Sequence, residues 1–291
     1  MRSLLFAMPD VISGFDLLAR LPNLGMASIA GNVDENLCEV KVCDLVAVKG
    51  NIKDYVKRLI TSYKPHLVGL SCMTFQHTSA LALAKLAKSI DKDLLVVLGG
   101  YHPTVAYAEI SLDEEVKASV DFLVRGEGEA TLGELIEAIQ GKRNVDAVEG
   151  LSYKHHGEFQ HNKSRKPLDP DSIKLPNRNA RITNGFHIFG KCADVIETSR
   201  GCTVDCSFCC ITQMYNRSFR KFNIERIIED IGLARRAGAQ SLLITDDNIT
   251  LDPARFEKIC EAIVEHGYND IDYFVQASVS GIVKLFRTAG R

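Results

Sequence analysis

Short apolar runs alternate with helix-period stretches twice along this chain, first over residues 1–140 and again from residue 194, with an aperiodic segment between. In the first block, strands are expected at 3–8, 39–45, 67–72, 94–98 and 121–124. Helices are expected at 52–61 and 78–90, where Ala80, Leu83, Ala84 and Ala87 recur at helical spacing behind a Thr78 cap. A strand, a helix and another strand in quick succession return the chain in the same direction, which calls for a parallel sheet covered by helices. The expected class is α/β, with a doubly wound, Rossmann-like N-terminal domain.

Ligands of such sheets bind just outside the carboxyl ends of the strands. Three segments fall there: SCMTFQ (71–76), GGYHPT (99–104) and GEGEAT (126–131), each built of small and polar residues. That edge is the expected place for a large ligand.

Residues 150–162, GLSYKHHGEFQHN, read as a hairpin turning at His156 and Gly157. The stretch to Lys191, with Pro167, Pro170 and Pro176, reads as a linker. Three further βα units are then expected: strand 194–198, helix 224–237, strand 241–245, helix 253–266, strand 273–277 and a helix from about Gly281. The expected partition is 1–145, a hairpin and linker over 146–191, and 192–291.

Lysine and arginine number 35 against 37 acidic residues, with no basic run to track a phosphate backbone, so nucleic acid is not an expected partner. The N-terminal apolar run, Leu4 to Met8, is five residues long, too short for a signal peptide or a membrane span. A cytoplasmic protein with no membrane contact is expected. Five of the nine cysteines, Cys38, Cys43, Cys72, Cys192 and Cys260, are scattered singly, unlike a secreted disulfide framework.

The other four lie in ETSRGCTVDCSFCC, residues 197–210. Cys202, Cys206 and Cys209 are spaced C-x3-C-x2-C, and three thiolates on one loop can hold a four-iron cluster with one iron open to a ligand. A structural zinc site is the alternative, but it closes with four ligands, and Cys192 is the only other nearby thiol. Cys210, adjacent to Cys209, is expected to pack rather than ligate.

SRGC-TVDC-SFC, with Phe208 before the last thiol, resembles the cluster motif of radical S-adenosylmethionine (SAM) enzymes. The α/β domain ahead of it resembles the cobalamin-binding domain of the B12-dependent members, on PNLG (22–25), VGLSCMT (68–74), the GGYHPT turn and the GEGE loop. The resemblance implies a [4Fe-4S] cluster on Cys202, Cys206 and Cys209. It implies SAM contacts from Phe208, Asp246, Asp247 and Gln276, and cobalamin contacts from Ser71, Met73, Thr74, Gly99, Gly100, His102, Gly126 and Glu127. The Gly-Gly-Glu run usual at the SAM amino group is TDDN here (245–248), and the mutase motif D-x-H-x-x-G is absent, so no histidine is expected beneath cobalt.

The activity implied is formation of a 5′-deoxyadenosyl radical and, from methylcobalamin, methyl transfer to an unactivated carbon of a small or natural-product-like molecule, with a reducing electron-transfer protein as partner. Radical cyclisation or ring rearrangement is the alternative. The family core has about six βα units where three follow the linker here, so an incomplete core, or a cofactor-binding fragment without turnover, is also expected. A flavodoxin-like or nucleotide module is disfavoured by the lack of a G-x-G-x-x-G turn or a Walker lysine.

The same residues have plainer readings. Gly99 and Gly100 suit an ordinary strand-end turn and His102 a turn histidine, while Glu127 and Glu129 suit a solvated helix start. Asp246, Asp247 and Asn248 suit a polar approach to a helix cap at Asp252.

Overall fold

The computed structural model describes residues 1–9 and 17–283. They form two units, one from 1–9, 23–168 and 173–184, the other from 17–22, 169–172 and 185–283.

The first unit is a seven-stranded sheet ordered Glu39–Asp44, Arg2–Ala7, Leu67–Ser71, Leu95–Gly99, Phe122–Val124, Leu151–His155, Glu158–His161. The first five strands are parallel and the last two antiparallel. Side chains alternate across a pleated strand. Leu4 and Phe6 accordingly enter one core with Leu70 and Leu98, while Leu5 and Ala7 enter another with Val42, Leu67 and Val97. Two cores mean helices on both faces, the doubly wound arrangement expected.

Helix Ile52–Tyr63 opens at Asn51, whose side chain accepts the Asp54 N–H, and closes at Lys64 in a left-handed conformation, φ 51°. The next helix departs from expectation: it is His77–Ile90, so Thr78 lies inside its first turn rather than at its cap. A 3-10 turn, Thr74–Gln76, runs straight into it from the strand end. Gln76 does the local tying, accepting the Met73 N–H at 2.9 Å and donating to the Pro9 carbonyl at 3.1 Å.

The hairpin forms as read, with φ 51° at His156 and 87° at Gly157, the paired left-handed residues of a turn whose twist matches its strands. It continues the first unit's sheet. The following segment is tied to the same unit, since the Asn177 and Ile182 N–H groups donate to the Ala27 and Val42 carbonyls at 2.9 and 2.8 Å. Residues 146–191 are therefore divided between the units instead of standing apart from both.

The second unit has a five-stranded sheet ordered Asp272–Val275, Ser241–Ile244, Lys191–Ile196, His187–Ile188, Ala19–Arg20. Its first three strands are parallel, and helices Ile224–Arg236 and Pro253–Glu265 make the crossovers. Asn223 and Asp252 cap those helices by accepting the Arg226 and Arg255 N–H groups. The helix expected near Gly281 begins at Val279 and is seen to Val283, where the described residues end. Among the described residues no helix is long and apolar enough to cross a membrane.

Candidate functional site

In the second unit the strand Lys191–Ile196 exits through Glu197 and Thr198 into an irregular loop, 201–210, carrying the clustered thiols. Gly201 is required there: its φ is +87°, and a Cβ would meet the Ser218 carbonyl at 2.3 Å. Cys202, Cys206 and Cys209 are half-buried free thiols, and the Cys209 N–H donates to the Cys206 carbonyl at 3.0 Å. Among the described residues no three Cys, His, Asp or Glu side chains are drawn together around a point that one metal ion would occupy. The donor set, three soft thiols on one loop, suits an iron–sulfur cluster, whose ligands sit on separate irons. Phe208, 91% exposed, leaves its ring open to a ligand. Cys210 does not pack, contrary to expectation: it is exposed at the start of the short helix Ile211–Met214.

Behind this loop lies a buried polar brace. Asp246, 1% exposed, accepts from the Thr198 N–H at 2.6 Å, the Thr198 hydroxyl at 2.5 Å and the Ser199 hydroxyl. Both of its oxygens are thereby committed to the chain entering the cysteine loop. Arg255, absent from the sequence-derived set, donates to the Thr198 and Phe222 carbonyls at 2.8 and 2.7 Å. Glu197 and Arg200 form a buried two-point ion pair at 2.7 and 2.8 Å. Nothing local flags Arg255, which reaches 57 residues back to Thr198.

Asp247 differs from its neighbour. It is half-buried, and its Oδ2 accepts the Gly201 N–H at 3.0 Å, next to the first clustered cysteine. Burial pushes its carboxyl above the ordinary range, and the Asp246 charge adds to the rise against the Gly201 hydrogen bond. Asn248 is turned inward, accepting from the Thr250 hydroxyl and the Ser278 N–H at 2.8 and 3.1 Å. Gln276 is exposed, and its carbonyl accepts the Ile249 N–H at 3.0 Å.

In the first unit the three strand-end segments form one surface. The Cys72 N–H donates to the Gly99 carbonyl at 3.0 Å, and the His102 N–H to the Cys72 carbonyl at 3.2 Å. Gly100, φ +97°, packs so closely that a Cβ would come within 2.9 Å of the Cys72 carbonyl and Ser71 Oγ. Ser71, Gly99, Gly100 and His102 are thus brought together, and Gly126, φ +77°, joins them by donating its N–H to Thr104 Oγ1 at 2.9 Å. Met73 and Thr74 are exposed on the 3-10 turn beside them. Glu127 and Glu129 are buried, not solvated: Glu127 accepts the Leu168 N–H at 2.6 Å and Glu129 the Ser28 hydroxyl at 2.7 Å. Glu127 therefore already ties down the segment after the hairpin.

His77, not singled out from sequence, lies with its ring 4.5 Å from that of His102. Burial pulls both imidazoles below their ordinary value, and His77 adds to the effect on His102. Its only sequence signal is its place just after the 71–76 segment.

The B12 binding domain family model matches residues 15–136, which include all three strand-end segments of the first unit. An uncharacterised methyltransferase of Pyrococcus horikoshii is 32% identical over 262 residues, covering 89% of this chain and 56% of the relative. A solved radical SAM methyltransferase, TsrM from Kitasatospora setae with cobalamin and [4Fe-4S] cluster bound, superimposes with a TM-score of 0.73 over 99% of this chain at 16% identity. The chain carries a B12 binding domain and is similar along most of its length to proteins that pair such a domain with radical SAM chemistry. Another relative is an anaerobic magnesium-protoporphyrin IX monomethyl ester cyclase of Synechocystis, 27% identical over 93% of this chain and 55% of its own length. The chain spans about half the length of these curated family relatives.

Proposed function

We propose that this chain is the cofactor-holding part of a cobalamin-dependent radical SAM methyltransferase, with residues 1–145 on the cobalamin side and 192–291 on the SAM side. The observation that carries the reading is the half-buried, unpaired trio Cys202, Cys206 and Cys209 at the carboxyl end of strand Lys191–Ile196, in a chain whose other unit matches a B12 binding domain. When bound, reduced cluster and SAM supply a 5′-deoxyadenosyl radical, and methylcobalamin supplies a methyl group.

The protein's own residues bind and orient. Cys202, Cys206 and Cys209 would supply three thiolates to a four-iron cluster, one short of a full ligand set, so that SAM could complete it. Asp247, held beside Gly201, would meet the SAM ammonium, and Phe208 and Gln276 would flank the remainder of SAM. Gly99, Gly100 and Gly126 let backbone approach a corrinoid closely, with Ser71 and Thr74 as hydroxyl partners and Met73 and His102 as flanking surface. Glu127 acts at one remove, through the segment it ties. The substrate is a small molecule attacked at an unactivated carbon, and a reducing protein supplies the electron.

A second reading, radical cyclisation, is favoured by the cyclase relative, which matches this chain over 93% of its length. Anaerobic reconstitution with iron, sulfide and hydroxocobalamin, then desalting and metal analysis, tests the shared core of both. About four irons and one cobalt per chain are expected. Iron without cobalt would remove the cobalamin reading, and neither metal would remove both.

A further inference from the structure

Thr104 occupies a place in the first unit that none of the ligand-edge glycines can fill. It lies in the short helix Tyr101–Val105, and its hydroxyl is a two-way bridge. The hydroxyl donates to the Gly100 carbonyl at 2.7 Å and accepts the Gly126 N–H at 2.9 Å, across 22 residues. Gly100 and Gly126 are the positive-φ residues of two different strand-end segments, at +97° and +77°. Such glycines lose more freedom on folding than other residues, so each segment gains most from an external restraint. Backbone bonds already join the 71–76 and 99–104 segments through Cys72. The Thr104 hydroxyl adds the third segment, since a hydroxyl can donate to one segment and accept from another at once.

We infer that Thr104 is a positioning residue for cobalamin, holding the Gly100 turn and the Gly126 loop at the mutual spacing the corrinoid needs without touching it. The inference rests on the reading of this unit as the cobalamin holder. Preorganised loops bind more tightly because their ordering cost is met before the ligand arrives. Removing the bridge lowers affinity through the free protein, chiefly as faster release.

The test uses the full chain and hydroxocobalamin, comparing wild type, Thr104→Val and Thr104→Ser. Valine keeps the shape and removes both bonds, while serine keeps the hydroxyl. The valine variant is expected to bind about tenfold more weakly, with serine restoring most of the loss. The Gly126 amide is expected to exchange its hydrogen faster in the valine variant before any cobalamin is added. Should valine prevent folding, judged by circular dichroism, Thr104→Ala replaces it. Wild type that binds no cobalamin removes the underlying reading. Wild type that binds, beside a folded valine or alanine variant of equal affinity and equal Gly126 exchange, overturns the role of Thr104. Equal weakening in serine and valine also overturns it, because the hydroxyl would then not matter.

Discussion

Asp246 holds Thr198 by both of that residue's donors, the N–H on Oδ1 at 2.6 Å and the hydroxyl on Oδ2 at 2.5 Å. Thr198 is the last residue before the Ser199–Arg200 strand that leads into the cysteine loop. A carboxylate carrying three short hydrogen bonds at 1% exposure is the anchor from which that loop departs. Asp246→Asn turns one acceptor oxygen into a donor facing donors, and is expected to cost about 2–3 kcal/mol in denaturant unfolding. Iron retained after reconstitution is expected to fall with it, while cobalt is unchanged. Unaltered unfolding and iron content would show that the anchor is dispensable.

The thiols divide by position. Cys206 is half-buried in the loop and gives its carbonyl to the Cys209 N–H, whereas Cys210 is exposed where the next helix begins. Cys206→Ala is expected to abolish the broad brown absorbance of the reconstituted cluster, and Cys210→Ala to leave it. Retained absorbance in the first variant would remove Cys206 from the ligand set.

How far the sequence could be read depended on how far each interaction reaches. The strands were legible because short continuous apolar runs, as strands buried on both faces require, end in glycine or polar residues, and the hairpin because His156-Gly157 suits two left-handed residues. The cysteine spacing was equally local. Glu127 and Glu129 looked like a solvated helix start because Leu168 and Ser28, which bury them, lie 41 and 101 residues away. Thr78 looked like a cap because nothing local shows that a 3-10 turn feeds the helix directly. Asp246 and Asp247 looked alike in TDDN, and only folding aims one at Thr198 and the other at Gly201.

Gly100 offers a steric test of the cobalamin edge. Its φ of +97° is unfavourable for residues with a Cβ, and an added Cβ would press on Ser71 Oγ and the Cys72 carbonyl, each 2.9 Å away. Gly100→Ala is expected to destabilise the chain by about 1–3 kcal/mol and to weaken hydroxocobalamin binding about tenfold or more. Iron loading, which depends on the other unit, is expected to stay at the wild-type level. Titration with hydroxocobalamin alongside iron analysis reads both, and a variant that binds as wild type would show that the Gly100 turn is not part of the binding edge.

The His77–His102 pair predicts how stability responds to acid. Burial pulls both imidazoles below 6.5, with His77 further depressing His102, while Asp113 opposes the shift at His77 and Glu109 at His102. In the unfolded chain each ring takes a proton near 6.5, but in the folded chain only at lower pH, so below that point the unfolded state binds more protons. Stability from this pair is therefore fully present above about pH 6.5 and lost as pH falls toward the folded values. Denaturant midpoints measured at about pH 7.5 and about pH 5.5 are expected to drop on acidification in wild type. The drop should be smaller in His77→Gln/His102→Gln, which carries no titrating ring at either position. An identical drop in both proteins would assign the acid sensitivity to other groups.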